Sequence, residues 1–215
     1  VGAETASAEM QAYIRKGIMQ GNVDTAMRRM WERNIKIGLF WIIGYPDETE
    51  ESMRATMTLA AEMKTRYPNC TSEVLLYRPL PGTESGDHAA RNGYEMPLAF
   101  EPWGGMVEYK FGNKTFETLP VDIKRDYHRY TYLVPWFDGL VKGGSIYHRF
   151  LKQMAGWRLR NQRYGWTVEF KLFDLAGKLI RSLGFRRGPA LAQRAAGVDV
   201  EGTTHNVRES ASMVS

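Results

Sequence analysis

Two short apolar segments separated by an amphipathic helix constrain the fold of this chain more than any other feature. Residues 35–43 are β-branched and aromatic with no polar alternation beyond Lys36, which is typical of a parallel strand buried on both faces. Residues 73–77 form a second short apolar segment. Between them, apolar residues from Met53 to Ala61 recur at helical spacing. A strand–helix–strand unit of this length forms a right-handed crossover, so we expect the two strands to be parallel neighbours.

The rest of the first half continues this alternation, which predicts an α/β fold. Residues 1–4 resemble the end of a strand that leads into a loop. Helices are expected from Met10 to about Gly17, from an N-cap at Asn22 to Arg33, and over 84–91. Because two strands alone do not form a stable sheet, and because the chain opens on Val rather than Met, we expect a piece of a longer protein. A processing boundary is the alternative.

Charge and patterning divide the second half. Residues 98–120 are rich in glycine and lack periodicity, which predicts an irregular connection. Residues 121–187 contain 14 Lys or Arg against 5 Asp or Glu, many aromatics and three helical patterns, so we expect a basic, mostly helical extension. Residues 188–215 are small and polar without periodicity, which predicts a disordered tail.

Cysteine content and hydropathy exclude several classes of protein. Cys70 is the single cysteine, which excludes a disulfide scaffold. It also excludes an iron–sulfur cluster held by this chain alone, because such a cluster needs about three or four thiolates. The longest apolar run, residues 39–43, is far too short to cross a bilayer as a helix.

Three loops follow the predicted strand ends, at residues 2–7, 44–49 and 77–83. Ligands of parallel α/β folds bind at the carboxyl ends of strands, so these loops are the candidate site. Each combines glycine or proline with polar side chains. Taken alone, however, the loop at 44–49 is explained better as a turn and a helix cap.

Taken together, the loops resemble a known family. Residues 1–7, 14–18, 41–53 and 77–83 match, in order and spacing, the patterns G-x-E-S-x-S, I-x-K-G, I-x-G-[FLY]-P-G-E-T-x-E and Y-x-P-x-P-G-T. These are typical of the C-terminal half of the barrel of radical S-adenosylmethionine (SAM) enzymes, most similarly the type with a cobalamin-binding domain. The match covers about residues 1–95, and the resemblance implies that residues 1–97 form this half of the barrel.

The resemblance implies a partial (β/α)6 barrel with SAM and a [4Fe-4S] cluster at the strand carboxyl ends. This chain would begin at the end of the fourth strand. The cluster motif C-x3-C-x2-C and any cobalamin-binding domain precede that point in the family, so their ligands would lie outside this chain. The missing N-terminal half of the same polypeptide is then the expected partner, and the chain alone would be inactive.

The resemblance also implies roles for individual residues. Glu4 would accept hydrogen bonds from the ribose hydroxyls, which suits a carboxylate; the alternative is a favourable charge at a helix N-terminus. Lys16 would approach the carboxylate of SAM, or else be a solvated lysine at a helix end. Adenine is expected beside apolar side chains and free backbone polar groups at Ile43, Gly44, Tyr45 and Pro46.

Three further residues bear on the adenine pocket. Tyr77 and Arg78 would close over adenine or face the substrate. Asp47 replaces the glycine that is usual in the family, which places the loop shape in question. If that position has a positive φ, Asp tolerates it better than most residues.

The implied reaction is reductive cleavage of SAM to a 5′-deoxyadenosyl radical, with cobalamin-dependent methyl transfer as a variant. We expect a small-molecule or lipid-like substrate and a cytoplasmic location, with peripheral membrane contact as an option. The alternative is a truncated or degenerate barrel that binds nucleic acid or a membrane surface through its basic C-terminal helices. Of these two, nucleic acid is the less favoured partner.

The helices of the basic region have apolar stripes of their own. Core packing favours inward positions for Tyr130, Leu133, Phe137, Phe150 and Trp157, with the charges on the opposite face. Exposure of these aromatics in one patch would indicate a partner surface instead.

Overall fold

The structure is a computed structural model that describes residues 1–18, 20–96, 114–141, 146–165 and 168–182. The strands in these ranges are β1 (Gly2–Glu4), β2 (Ile37–Ile43) and β3 (Cys70–Leu76). The helices are α1 (Ala8–Tyr13), α2 (Gln20–Glu32), α3 (Glu50–Arg66), α4 (Glu84–Arg91), α5 (Lys114–Thr118), α6 (Val121–Asp138), α7 (Ile146–Arg160) and α8 (Val168–Ser182). The tail expected at 188–215 and most of the connection expected at 98–120 lie outside the described residues.

The three strands form one parallel sheet in the order β1-β2-β3. Strands β2 and β3 pair without a break, from Ile37 opposite Cys70 to Ile43 opposite Leu76. The predicted parallel arrangement of the two apolar segments is therefore confirmed, and so is the α/β class. A wider barrel is not seen in these residues.

Strand β3 begins at Cys70, three residues earlier than the sequence predicts, because the first residues that pair with β2 include the buried Ser72. The Ser72 hydroxyl accepts a hydrogen bond from Trp41 Nε1 at 2.9 Å and donates one to the Ala60 carbonyl at 2.9 Å. A buried serine whose hydroxyl makes its hydrogen bonds inside the core cannot be distinguished, from the sequence alone, from a serine in a loop.

Only one face of the sheet is covered by the described residues. Leu39, Trp41 and Ile43 of β2 are buried under the helices, whereas Phe40, on the other face, is 40% exposed. The expectation of a strand buried on both faces is therefore wrong for the described part of the chain. An unbroken apolar run indicates that both faces of a strand can be buried. It does not indicate that the described residues of the same chain bury both faces.

Helices α3 and α6 form the layer that covers the sheet. The Tyr130 hydroxyl, in α6, donates to the backbone carbonyl of Ser72 in β3 at 2.8 Å. The same hydrophobic core also includes Leu151 and Leu159 of α7 and Phe170 of α8. The helices predicted at 121–187 thus pack on the α/β layer as part of one core.

A buried lysine joins this layer together. Lys64 in α3 donates to the Cys70 carbonyl at the start of β3 and forms an ion pair with Asp138 at the end of α6. Burial raises the pKa of the Asp138 carboxyl, and the ammonium group of Lys64 opposes that shift. One side chain therefore connects two helices and a strand.

The aromatic positions of the basic helices divide into two groups. Tyr130 and Leu133 are buried as expected, and Phe137 packs against the core. Phe150 and Trp157 are 46% and 47% exposed, so their predicted inward orientation is wrong. Helix α7 buries a different stripe: Leu151, Ala155 and Leu159. None of the helices among the described residues is long and apolar enough to cross a membrane.

We predict that Lys64→Met destabilises the fold by about 3–5 kcal/mol, because it leaves the largely buried Asp138 carboxylate without its partner. Urea denaturation followed by circular dichroism measures the loss. Lys36→Met is the matched control, since Lys36 is exposed. The double variant Lys64→Met, Asp138→Leu should recover part of the stability. A Lys64→Met variant as stable as the control would contradict this account.

Candidate active site

Each of the three loops at the strand carboxyl ends finishes in a residue that caps the next helix. The Ser7 hydroxyl accepts from Met10 N at 3.3 Å in α1, Thr49 caps α3, and Thr83 caps α4 by accepting from Gly86 N at 3.0 Å. These hydroxyl groups accept hydrogen bonds from backbone N–H groups that would otherwise have no partner at a helix N-terminus. The groups left to bind a ligand are therefore fewer than the loop sequences suggest.

Glu4 is the residue of the first loop that remains directed at the site. It ends β1 with φ +68°, a left-handed conformation that is uncommon for a residue with a side chain. Its carboxylate forms an ion pair with Lys16, which follows α1. Only Oε1 is engaged, and Oε2 makes no hydrogen bond within the described residues. Such backbone strain at a strand end is consistent with a functional position.

Glu4 and Lys16 line an open cleft of about 470 Å³ between α1 and the start of α4. Its lining residues are Glu4, Ala12, Tyr13, Ile14, Arg15, Lys16, Tyr45, Glu84 and Ser85. A second ion pair, Arg15 to Glu84 at 3.1 Å, lies at the rim and is largely exposed. The cleft thus presents two acids, two bases and two tyrosines to a ligand.

The tyrosines form an aromatic wall. The rings of Tyr45 and Tyr77 lie 4.9 Å apart, and Tyr13 meets Tyr45 edge-on at 6.3 Å. Burial, followed by the negative charges of Glu4 and Glu48, raises the pKa of Tyr45. Tyr45 is therefore a neutral phenol at physiological pH, and its contribution to the cleft is aromatic and hydrogen-bonding surface.

Glu48 holds the loop after β2. Its Oε2 accepts from the backbone N–H groups of Gly44 at 2.7 Å and Tyr45 at 3.2 Å, and its Oε1 accepts from the Ser52 hydroxyl at 2.7 Å. Burial raises the pKa of the Glu48 carboxyl, and these hydrogen bonds oppose the shift. The backbone N–H groups of Gly44 and Tyr45, which are among the backbone polar groups expected to be free for adenine, are thus bonded to Glu48.

Two positive φ angles shape the same loop. Gly44 has φ +82°, and a Cβ atom there would lie 2.7 Å from Thr115 Cγ2 in α5. Asp47 has φ +62°, so an aspartate does adopt a left-handed conformation at the position where the resembling family usually has glycine. Its carboxylate lies 2.7 Å from His88 Nε2 in α4, which ties the loop to the next helix.

Helix α5 lies within the segment expected to be irregular. The Thr115 hydroxyl donates to the Tyr77 carbonyl at 2.8 Å, and Leu119, just after the helix, is buried. These contacts press α5 against the loops after β2 and β3. Five residues with mixed polarity give no helical periodicity, so the sequence carried no signal for this helix.

The structure brings together only part of the expected site. Glu4, Lys16 and Tyr45 line the cleft, whereas Ile43 is fully buried in the core and Tyr77 lies behind Tyr45. The remaining expected residues are outside the cleft lining: Gly44, Pro46 and Arg78.

Residues of α1 and α4 that the sequence reading missed also line the cleft. Tyr13 ends α1 three residues before Lys16, and this closeness in the sequence is the one signal that could have assigned it to the site. Arg15 and Glu84 carried no such signal, because their positions depend on how α1 and α4 approach each other.

The described residues do not fit an iron–sulfur cluster. No group of three or more His, Cys, Asp or Glu side chains in the described ranges could hold a metal ion. Cys70 is buried, and burial raises the pKa of its thiol to about 11, so a thiolate ligand is disfavoured there.

Comparison with known proteins gives one informative relative. The chain is 32% identical over 98 residues to an uncharacterized methyltransferase of Pyrococcus horikoshii. The match covers 45% of this chain and 20% of the relative, so the chain spans about a fifth of that protein's length. No family model matches the chain. The likeness shows that this chain is similar to one part of that methyltransferase.

We predict that Glu48→Ala destabilises the fold by about 1–3 kcal/mol, because two backbone N–H groups and the Ser52 hydroxyl lose their acceptor. Glu48→Gln keeps an acceptor oxygen of the same shape and should cost less than about 1 kcal/mol. Urea denaturation measures both variants. Equal losses would show that the hydrogen bonds of Glu48 do not hold this loop.

We predict that Gly44→Ala is more destabilising than Gly93→Ala by about 1–3 kcal/mol. Both glycines have a similar positive φ, +82° and +87°, but a Cβ atom at Gly93 meets nothing within 4 Å. The difference between the variants therefore isolates the contact with Thr115. Equal thermal unfolding midpoints for the two variants would mean that α5 moves away from the added methyl group without a loss of stability.

Proposed function

We propose that this chain supplies part of the SAM-binding site of a radical SAM enzyme, with methyl transfer as its favoured reaction class. Four features support the proposal: the motifs of residues 1–95, the parallel strand order, the cleft at the strand carboxyl ends and the methyltransferase-like relative. The observation that carries it is the Glu4–Lys16 ion pair beside the tyrosine wall.

The chemistry of the cleft suits each part of SAM. A carboxylate accepts hydrogen bonds from both hydroxyls of a ribose, which is the role proposed for Glu4. An ammonium group pairs with the carboxylate of the methionine moiety, which is the role proposed for Lys16. Tyr13 and Tyr45 offer aromatic faces to the adenine ring.

The ion pair between Glu4 and Lys16 does not prevent these roles. The Lys16 side chain is 45% exposed, and a pair with one solvated partner contributes only up to about 1 kcal/mol. A zwitterionic ligand can replace it, since its own carboxylate and hydroxyls offer new partners to both side chains. The pair then keeps the Glu4 carboxylate oriented until the ligand binds.

Under this proposal SAM supplies the reactive group, either its methyl group or the 5′-deoxyadenosyl moiety. The residues of this chain bind and orient it. The iron–sulfur cluster would be held by cysteines outside the chain, and so would cobalamin if the enzyme uses it. A C-x3-C-x2-C motif encoded about 90–130 residues before Val1, the spacing the family resemblance implies, supports the radical SAM class, and a continuous upstream frame without it contradicts that class.

We predict that the chain binds SAM at millimolar concentration and that Glu4→Gln weakens binding by about 1–3 kcal/mol, because the ribose hydroxyls lose an ionised acceptor. Saturation-transfer NMR on SAM resonances measures the affinity. Glu62→Gln, an exposed glutamate of α3, is the control with the same chemical change.

Two results would contradict the proposed site. One is an equal SAM affinity in Glu4→Gln and Glu62→Gln. The other is the absence of saturation transfer to SAM from a folded wild-type chain, which would show that this cleft does not bind the nucleoside.

A further inference from the structure

Helix α7 has a second apolar stripe that the core does not use. Ile146, Phe150 and Trp157 are 77%, 46% and 47% exposed. At 100° per residue they fall within one narrow arc of the helix. Leu151 and Ala155, which are buried, lie on the opposite side. The stripe therefore points away from the core of the described residues.

Helix α8 repeats this arrangement. Val168, Leu172 and Leu175 are 46%, 57% and 54% exposed and have the spacing i, i+4, i+7 of one helix face. Phe170 and Phe173, on the other side, pack edge-on against Trp136 of α6 at 5.5 and 5.1 Å. This stripe also points away from the core.

Side-chain contacts join the two helices. The Tyr147 ring stacks on Phe173 at 5.7 Å, and the Tyr147 hydroxyl donates to the Glu169 carbonyl at 3.0 Å. The Arg158 guanidinium donates two hydrogen bonds to the Glu169 carboxylate, at 2.5 and 2.9 Å. Six exposed apolar side chains thus lie on two helices that contact each other. We refer to them as the α7–α8 surface: Ile146, Phe150, Trp157, Val168, Leu172 and Leu175.

Cations flank this surface. Arg149 and Arg160 neighbour the stripe of α7 on the helix, and Lys171 neighbours that of α8. All three are exposed, and none forms an ion pair with a described residue. The one acidic side chain described on these helices, Glu169, is engaged by Arg158. The net charge beside the apolar stripes is therefore positive.

We propose that the α7–α8 surface binds peripherally to an anionic phospholipid bilayer. Apolar side chains on the outer faces of two helices enter the interfacial region, while long cationic side chains beside them reach the lipid phosphates. Trp157 adds an amphipathic ring that favours this depth. The proposal is independent of SAM binding, since the surface and the cleft share no residue.

Two other occupants fit the surface less well. Nucleic acid binds through aromatic platforms on which bases stack, but four of the six apolar side chains here are aliphatic. A second copy of the chain that packed on the same surface would bring two sets of these cations, Arg149, Arg160 and Lys171, into one interface, which is repulsive. Anionic lipid satisfies both the apolar stripes and the cations.

Vesicle co-sedimentation of the chain tests the proposal. We expect binding to vesicles of equimolar phosphatidylcholine and phosphatidylglycerol at low salt, with weaker binding at high salt. Leu172→Glu should reduce binding about tenfold, because it places a charge at the centre of the apolar stripe. Val121→Glu is the matched control: Val121 is 80% exposed at the start of α6, and this variant should bind like the wild type.

The cations are tested separately. Arg149→Gln and Lys171→Gln should each weaken binding about fivefold, whereas Arg28→Gln, an exposed arginine of α2, should not. All variants alter exposed side chains, and circular dichroism verifies that they fold.

Four results would overturn the proposal. They are equal binding to pure phosphatidylcholine vesicles, an unchanged partition of Leu172→Glu, a dimer in light scattering that Leu172→Glu dissociates without any vesicle binding by the wild type, and binding of an RNA oligonucleotide where vesicles are not bound.

Discussion

The buried ammonium of Lys64 is the interaction on which the arrangement of layers depends. It joins α3, the start of β3 and the end of α6, and thereby holds α6 across the sheet. Helix α5 ends two residues before α6 begins, so the docking of α6 also places Thr115 against Gly44 and the Tyr77 carbonyl. The geometry of the candidate site is thus set by contacts between segments that are distant in the sequence.

Local signals account for the parts of the fold that the sequence predicted. Thr49 and Thr83 cap the helices that they precede, and Asp47 adopts the positive φ at its turn. These features depend on neighbouring residues, as does the apolar run of β2. In contrast, the exposure of Phe40 and Trp157 depends on which faces the chain covers, and no periodicity encodes that choice.

The candidate site was predictable to a similar extent and for the same reason. Glu4, Lys16 and Tyr45 were identified from the loops and their resemblance, and all three line the cleft. The Ile43 side chain lies in the core rather than in the cleft, because successive residues of a strand point to opposite faces of the sheet. The role of Glu48 could not be predicted from the sequence, because its carboxylate accepts hydrogen bonds from the backbone N–H groups of Gly44 and Tyr45 only in the folded loop.

A crystal structure of the protein with SAM bound would test the proposed site. We expect the two ribose hydroxyls to lie within hydrogen-bonding distance of the Glu4 carboxylate, with the ammonium group of Lys16 moved from Glu4 to the ligand. SAM bound at another place, with the Glu4–Lys16 ion pair intact, would contradict it.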